Sequence, residues 1–338
     1  MKLIIQQLLA SEEPSVRYKV LVGVLGADPE GAEVKALQRE IQTSPRVKQL
    51  LSRRSEKGLI EPQKNVYSKW QGAHWVLGSL ADIGYPAGDE ALRPAMGQVL
   101  EHWLQPLYFK EMQTEKVLSS DRWKVVPVMR GRARRCASQQ GLALFTAVRL
   151  GLADERVQQL VERLLHWQWP DGGWNCDRMP EAAHSSFWET AIPLRGLAAY
   201  AKLADDPLVW QSVRRAAEVF LERRLYRRRR DGEIMNPVFV RLHYPCYWRY
   251  DILHGLKIMA EAGLIGDPRC QDALDLLEAK RLPASGWPAE ERFYRTPDDK
   301  KSGVELVGWG VTGTSTLNEW VTADALTVLK AAGRISNT

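Results

Sequence analysis

The chain has 338 residues, 45% of them hydrophobic and 26% charged, and its 47 basic and 41 acidic side chains leave a formal net charge of +6. This is globular composition with enough apolar mass for a large core, which excludes a fibrous or intrinsically disordered chain and removes any need for disulfide staples. The four cysteines stand far apart without a CxxC pair and no window reaches the ~18 apolar residues of a spanning helix, so the expectation is a soluble, cytoplasmic protein with reduced thiols.

In chain order, an amphipathic helix is predicted near residues 3–10 and an apolar one near 14–25, followed by the same alternation at 31–51 and 70–83, 89–105 and 136–150, 154–168 and 186–201, 207–225 and 246–262, and 268–281 and 318–332. Gly84, Gly151 and Gly263 fall where a helix C-cap needs positive φ, while Asp206-Pro207 and Asp267-Pro268 place a capping carboxylate before a Pro at the first helical position. The unit repeats about every 60 residues, longer than common solenoid repeats. The last helix, "EWVTADALTVLKAAG", is as apolar as those in the middle, whereas an open stack needs polar caps. Six hairpins closing around a central cavity satisfy that pattern, so the predicted fold is all-α, one (α/α)6 toroid over residues 1–338. No alternating run is strong enough to predict a strand. The connector 284–317 is long for a compact helical domain and is expected to act as a lid or binding loop.

The segment "LLHWQWPDGGWNCD" (residues 164–177) resembles the QW-type repeat of the terpenoid cyclase and protein prenyltransferase superfamily, and "AKRLPASGWPAE" (residues 279–290) is a weaker copy. The resemblance implies an (α/α)6 toroid whose cavity opens near the N-termini of the inner helices. It also implies that Gln168, Asp171, Gly172, Gly173 and Trp174 form a structural staple between hairpins. The family's catalytic signatures are altered. "SFWETA" lies over the DxDDTA motif of class II cyclases, with Glu189, Thr190 and Ala191 matching but Ser186 and Trp188 replacing two acids. Cys246-Tyr247 matches the zinc-binding Cys-Tyr of prenyltransferases, but Tyr244 replaces the Asp and Val321 the His ligand. The pairs Asp205-Asp206 and Asp298-Asp299 are read as a helix cap and a polar loop rather than as metal ligands.

The residues left near the expected cavity mouth set the functional expectations. Trp75, Trp188, Tyr247 and Trp320 are candidate lining for a hydrophobic, isoprenoid-like small molecule, through apolar burial and cation–π attraction. Arg132, Arg134 and Arg135 precede an apolar helix whose N-terminus attracts an anion, with pairing to outer-layer acids as the alternative. Glu189, Asp251 and His184 are the candidate acid–base groups. Cys136, Cys176, His184 and Cys246 should share one rim; such ligands suit zinc, while isolated cysteines also pack as small hydrophobes, so no cofactor is required by the sequence. The run "RRLYRRRRDG" (residues 223–232) reads as a solvated turn or, alternatively, a contact for an anionic membrane or nucleic acid; no recognised binding motif supports nucleic acid. The opposing functional expectation is a non-catalytic toroid serving as a protein- or membrane-interaction module.

Overall fold

Caps divide the chain into helical pairs. A computed structural model describes residues 1–61, 65–117, 124–283, 285–296 and 303–335. Asp298-Asp299 and parts of the 284–317 connector lie outside the described residues. The helices are α1 (Lys2–Leu9), α2 (Pro14–Gly23), α3 (Ala32–Thr43), α4 (Pro45–Leu50), α5 (Ala73–Asp82), α6 (Arg93–Trp103), α7 (Ala137–Arg149), α8 (Arg156–His166), α9 (Phe187–Ala204), α10 (Pro207–Leu221), α11 (Ile252–Glu261), α12 (Gln271–Ala279) and α13 (Glu319–Ala331). Among the described residues no helix is long and apolar enough to cross a membrane.

The predicted alternation holds, and its departures have local causes. The helix expected over 31–51 breaks into α3 and α4 because Pro45 has no N–H, and the Ser44 hydroxyl caps Val47 N–H at 3.2 Å. The one expected from 246 starts at Ile252: Tyr247 has φ of 50°, incompatible with a helix, and Asp251 caps the His254 N–H at 2.8 Å. The glycines at 84, 151 and 263 do take positive φ. The all-α expectation also misses a small sheet, in which β1 (Glu111–Gln113) runs parallel to β2 (Val126–Met129) and β2 pairs antiparallel with β3 (Arg132–Ala133). Arg130 and Gly131, both at positive φ, make the tight two-residue turn that joins β2 to β3.

Packing follows chain order. α5 packs on α7, α7 on α9, α9 on α11, α11 on α13 and α13 on α2. The closest approach is α7 to α9. A Cβ on Gly141 would stand 2.6 Å from the Pro193 backbone nitrogen, and one on Gly196 would stand 2.5 Å from the Gly141 carbonyl oxygen. Pro193 also lacks the N–H that would bond the Glu189 carbonyl one turn earlier.

The expected staple is present at Trp174, and its Trp half recurs at Trp287. Gln168 donates to the Gly172 and Ser212 carbonyls at 2.6 and 2.9 Å, and Asp171 accepts from Ser185 N–H at 2.7 Å. Trp174 donates its indole N–H to the Leu164 carbonyl, and its backbone N–H reaches the Thr190 hydroxyl at 3.1 Å. Trp287 repeats this, donating to the Leu277 carbonyl and to the Thr322 hydroxyl at 2.9 Å. Each Thr is fully buried and hands its own hydroxyl proton back to the same Trp's carbonyl. Thr190→Val and Thr322→Val should therefore each lose about 1–3 kcal/mol, the penalty of a buried N–H left unpaired, and by similar amounts. Urea melts of the two variants check this, and a loss confined to one of them would break the equivalence.

Candidate functional site

Lone charges carried inward by apolar helices meet at the centre of the molecule. Asp82, at the end of α5, accepts from Lys257 and Arg195 through Oδ1, both at 2.9 Å, and from Tyr244 OH through Oδ2 at 3.0 Å. Asp324 of α13 binds Lys19 of α2 at 2.8 Å and Lys257 of α11 at 2.9 Å. Arg195 of α9 continues to Glu261 at 2.6 Å and lies 3.9 Å over the Phe145 ring of α7. Three cations and three acids balance, so the network is neutral and largely self-satisfied. Burial would raise the acids, but Lys19, Lys257 and Arg195 hold Asp82 well below the usual carboxylate range and the two lysines hold Asp324 below it.

Above this network lies a cavity of about 60 Å³, lined by Trp75, Leu142, Tyr244, Cys246, Tyr247 and Leu253 among others. It has room for a few waters. Trp75 and Tyr247 thus border the cavity as expected. From these two residues the aromatic contacts extend outward, and a second group of rings lies across Lys69. Trp70 stacks on Tyr247 with centroids 3.9 Å apart, Trp75 sets its edge against both, and Tyr67 lies 5.0 Å from Trp75. On the other side Trp248 meets Trp188 edge-on at 5.9 Å, with Arg249 at 4.3 Å and Lys69 at 4.9 Å over the Trp248 ring. The indole N–H groups of Trp70, Trp188 and Trp248 and the Tyr247 hydroxyl are buried without a hydrogen-bond partner. Trp320 differs: it is 3% exposed, stacked on Tyr244 and edge-on to Trp309, and so belongs to the core.

The candidate acids separate. Asp251, fully buried, accepts from His243 N–H and His254 N–H at 2.9 and 2.8 Å and pairs with His243 Nδ1 at 2.9 Å. Although burial raises it, His243 holds its carboxyl below the usual range, so Asp251 is a helix cap and clasp rather than a proton donor. His184 is exposed, with its carbonyl bound by Asn175. Glu189, in the first turn of α9, is different again. Its Oε2 accepts from Ser138 N–H of α7 at 3.1 Å and its Oε1 from the Cys176 thiol at 3.3 Å, and burial pushes its pKa up. Cys136, the N-cap of α7, lies in the same group: the ligand atoms of Cys136, Cys176 and Glu189 are all within 4.8 Å of one another. The hydrogen bond with Cys136, then burial, raises the Cys176 thiol above its ordinary range.

The arginine triplet does not converge. Arg132 donates to the Arg130 carbonyl, Arg134 stacks 4.5 Å over Trp169 and donates to the Ala182 carbonyl, and Arg135 lies 4.3 Å over the Tyr108 ring. The basic run pairs locally instead of standing free: Arg224 and Arg227 reach Asp272, Arg228 and Arg230 reach Asp231, and Arg229 reaches Glu222. All four cysteines are free thiols, and Cys246, facing His243 rather than Cys136, stands apart from the other rim cysteines.

Sequence reading put Cys136 and Cys176 on one rim but grouped them with His184 and Cys246 rather than with Glu189, and it missed Tyr67, whose phenol is pushed up by burial and feels the charge of Glu189 and both thiols. It also missed the buried ion network altogether, although its members are charges among apolar neighbours in mainly apolar helices. The chain matches no family model, no curated protein and no solved structure.

Proposed function

We propose that the six buried helices close into an (α/α)6 ring and that its aromatic mouth binds a small molecule with an apolar body, in the manner of the terpenoid cyclase and prenyltransferase superfamily that the GGW repeats resemble. The reading is carried by two aromatic groups, Trp70 with Trp75 and Tyr247 and Trp188 with Trp248, bridged by Lys69 over Trp70 and Trp248; among the described residues the Trp70, Trp188 and Trp248 N–H groups and the Tyr247 hydroxyl are buried without partners. Buried donors without partners are rare, and a ligand that accepts from them removes the penalty. Arg249 and Lys69 over the same rings suit an anionic end on that ligand. The 60 Å³ central space is small beside the roughly 300–1,000 Å³ of ordinary ligand pockets, so the body of the ligand lies along the mouth rather than between the helices. Of the acidic candidates, Asp251 has both oxygens taken by protein N–H donors, whereas Glu189 holds the Ser138 N–H through Oε2 and meets only the Cys176 thiol through Oε1.

Titration with prenyl diphosphates should quench tryptophan fluorescence, and Trp188→Ala should weaken the apparent affinity at least tenfold, equivalent to about 1.4 kcal/mol. Absence of quenching, or an unchanged affinity in Trp188→Ala, would sink this placement.

A further inference from the structure

The geometry points to a zinc site built from Cys136, Cys176 and Glu189, with its fourth position open at the mouth.

The three groups come from three separate places: the N-cap of α7, the loop after Trp174, and the first turn of α9. Nothing in local chain geometry forces them together, yet their ligand atoms lie within 4.8 Å of one another, a spacing that a modest rotation of side chains brings around one ion. Two sulfurs and one carboxylate oxygen, with a vacancy for water, are the donor number and type of an open tetrahedral zinc centre. Softer thiolate donors favour zinc over magnesium or calcium.

Charge supports the same reading. Two thiolates and a carboxylate carry −3, zinc brings the sum to −1, and Arg135 restores neutrality. Arg135 is 8% exposed, forms no ion pair and leaves its Nε unpartnered among the described residues, and feels the charge of Cys136 and Glu189. Two thiolates and a carboxylate around one zinc ion would give this buried cation a counter-charge. The Ser138 N–H that already holds Glu189 Oε2 leaves Oε1 for the metal and fixes the carboxylate's orientation, the usual service of an outer-shell donor. Tyr67 feels the charge of all three groups.

The other thiol–imidazole group does not qualify. In His243, Cys246 and Asp251, the Asp251 oxygens already satisfy three protein donors, and a metal would have to displace the cap of α11.

This inference goes beyond ligand binding at the mouth and stands or falls separately from it, because its readout is metal rather than ligand. The full chain is dialysed against zinc under a thiol reductant, and bound metal is measured by mass spectrometry of the elements. One equivalent is expected. Cobalt substituted for zinc should give the intense thiolate-to-metal absorption of a two-sulfur site. In the unmutated protein, zinc should shield Cys136 and Cys176 from iodoacetamide and leave the labelling of Cys246 unchanged, which needs no variant to fold. Cys136→Ser and Glu189→Gln should each weaken zinc binding by more than the ~100-fold that loss of an outer-shell partner brings, with Cys246→Ser equal to the parent. No bound zinc, zinc shielding of Cys246 instead, or a reductant-resistant Cys136–Cys176 disulfide would each overturn the proposal.

Discussion

Asp82→Ala is expected to lower the folding stability by about 3–5 kcal/mol, the cost of removing one member of a buried ion network and stranding its partners. The carboxylate is only 18% exposed and takes four donors, from Lys19, Lys257, Arg195 and Tyr244. Without it, three cations face Asp324 and Glu261 alone. Asp82→Asn keeps the shape and tests the charge: it should fall nearly as far. Chemical denaturation at neutral pH checks both, and a loss below 1 kcal/mol in each would mean that solvent already screens the network. The pH dependence follows from the direction of the shift. A carboxyl held below its unfolded value contributes stability that is fully present above the unfolded pKa, near 4, and lost as pH falls through the lower folded value. The parent should therefore lose stability progressively below about pH 4, and the Asp82→Asn variant should show a shallower acid slope. A double variant, Lys19→Met with Asp324→Asn, should cost less than the sum of the singles, since the two bind each other at 2.8 Å.

Gly141→Ala is expected to be the next most damaging change, at about 3 kcal/mol, because the added methyl meets backbone rather than a yielding side chain. Its nearest neighbours are the nitrogen and Cα of Pro193, both at 2.6 Å, so α7 and α9 must separate. The effect should reach the mouth as well. Ser138 and Cys136 lie one turn or so before Gly141, and Glu189 lies one turn before Pro193, so the same displacement pulls the two halves of the thiol–carboxyl group apart. Thermal unfolding gives the stability change, and thiol alkylation rates give the second effect, with Cys176 expected to react faster in the variant. A variant that melts with the parent would show that the helices yield without cost.

The helical pairs were legible because their boundaries are chemical. Asp206 before Pro207 caps Leu208 N–H at 2.9 Å, and Gly84, Gly151 and Gly263 take the backbone angles that only glycine adopts freely. The staple was legible too, since Gly173-Trp174 and Gly286-Trp287 recur four residues after Trp169-Pro170 and Leu282-Pro283 in matching places. The β2–β3 turn was hidden by its length: two to four residues carry too little alternation to register. The ion network left a signal that went unread. Lys19, Asp82, Arg195, Lys257 and Asp324 are charges set among apolar neighbours in mainly apolar helices, and such residues are almost never buried unless paired. The meeting of Cys136, Cys176 and Glu189 left less. It depends on two glycines letting α7 and α9 touch, and nothing in the spacing of the three residues encodes it. The arginine triplet shows the converse: adjacent in sequence, Arg134 and Arg135 go to different aromatic rings.

The pairing of Lys19 with Asp324 spans 305 residues, and that has a consequence during synthesis. A nascent chain in which α13 is still inside the ribosome holds Lys19, Lys257 and Arg195 against only Asp82 and Glu261, one positive charge too many to bury. The early hairpins therefore remain unsealed, with their apolar faces open to chaperones, until the final helix emerges. Late stalling of translation is expected to prolong that exposure, and closure of so non-local a contact is expected to be slower than formation of the helices.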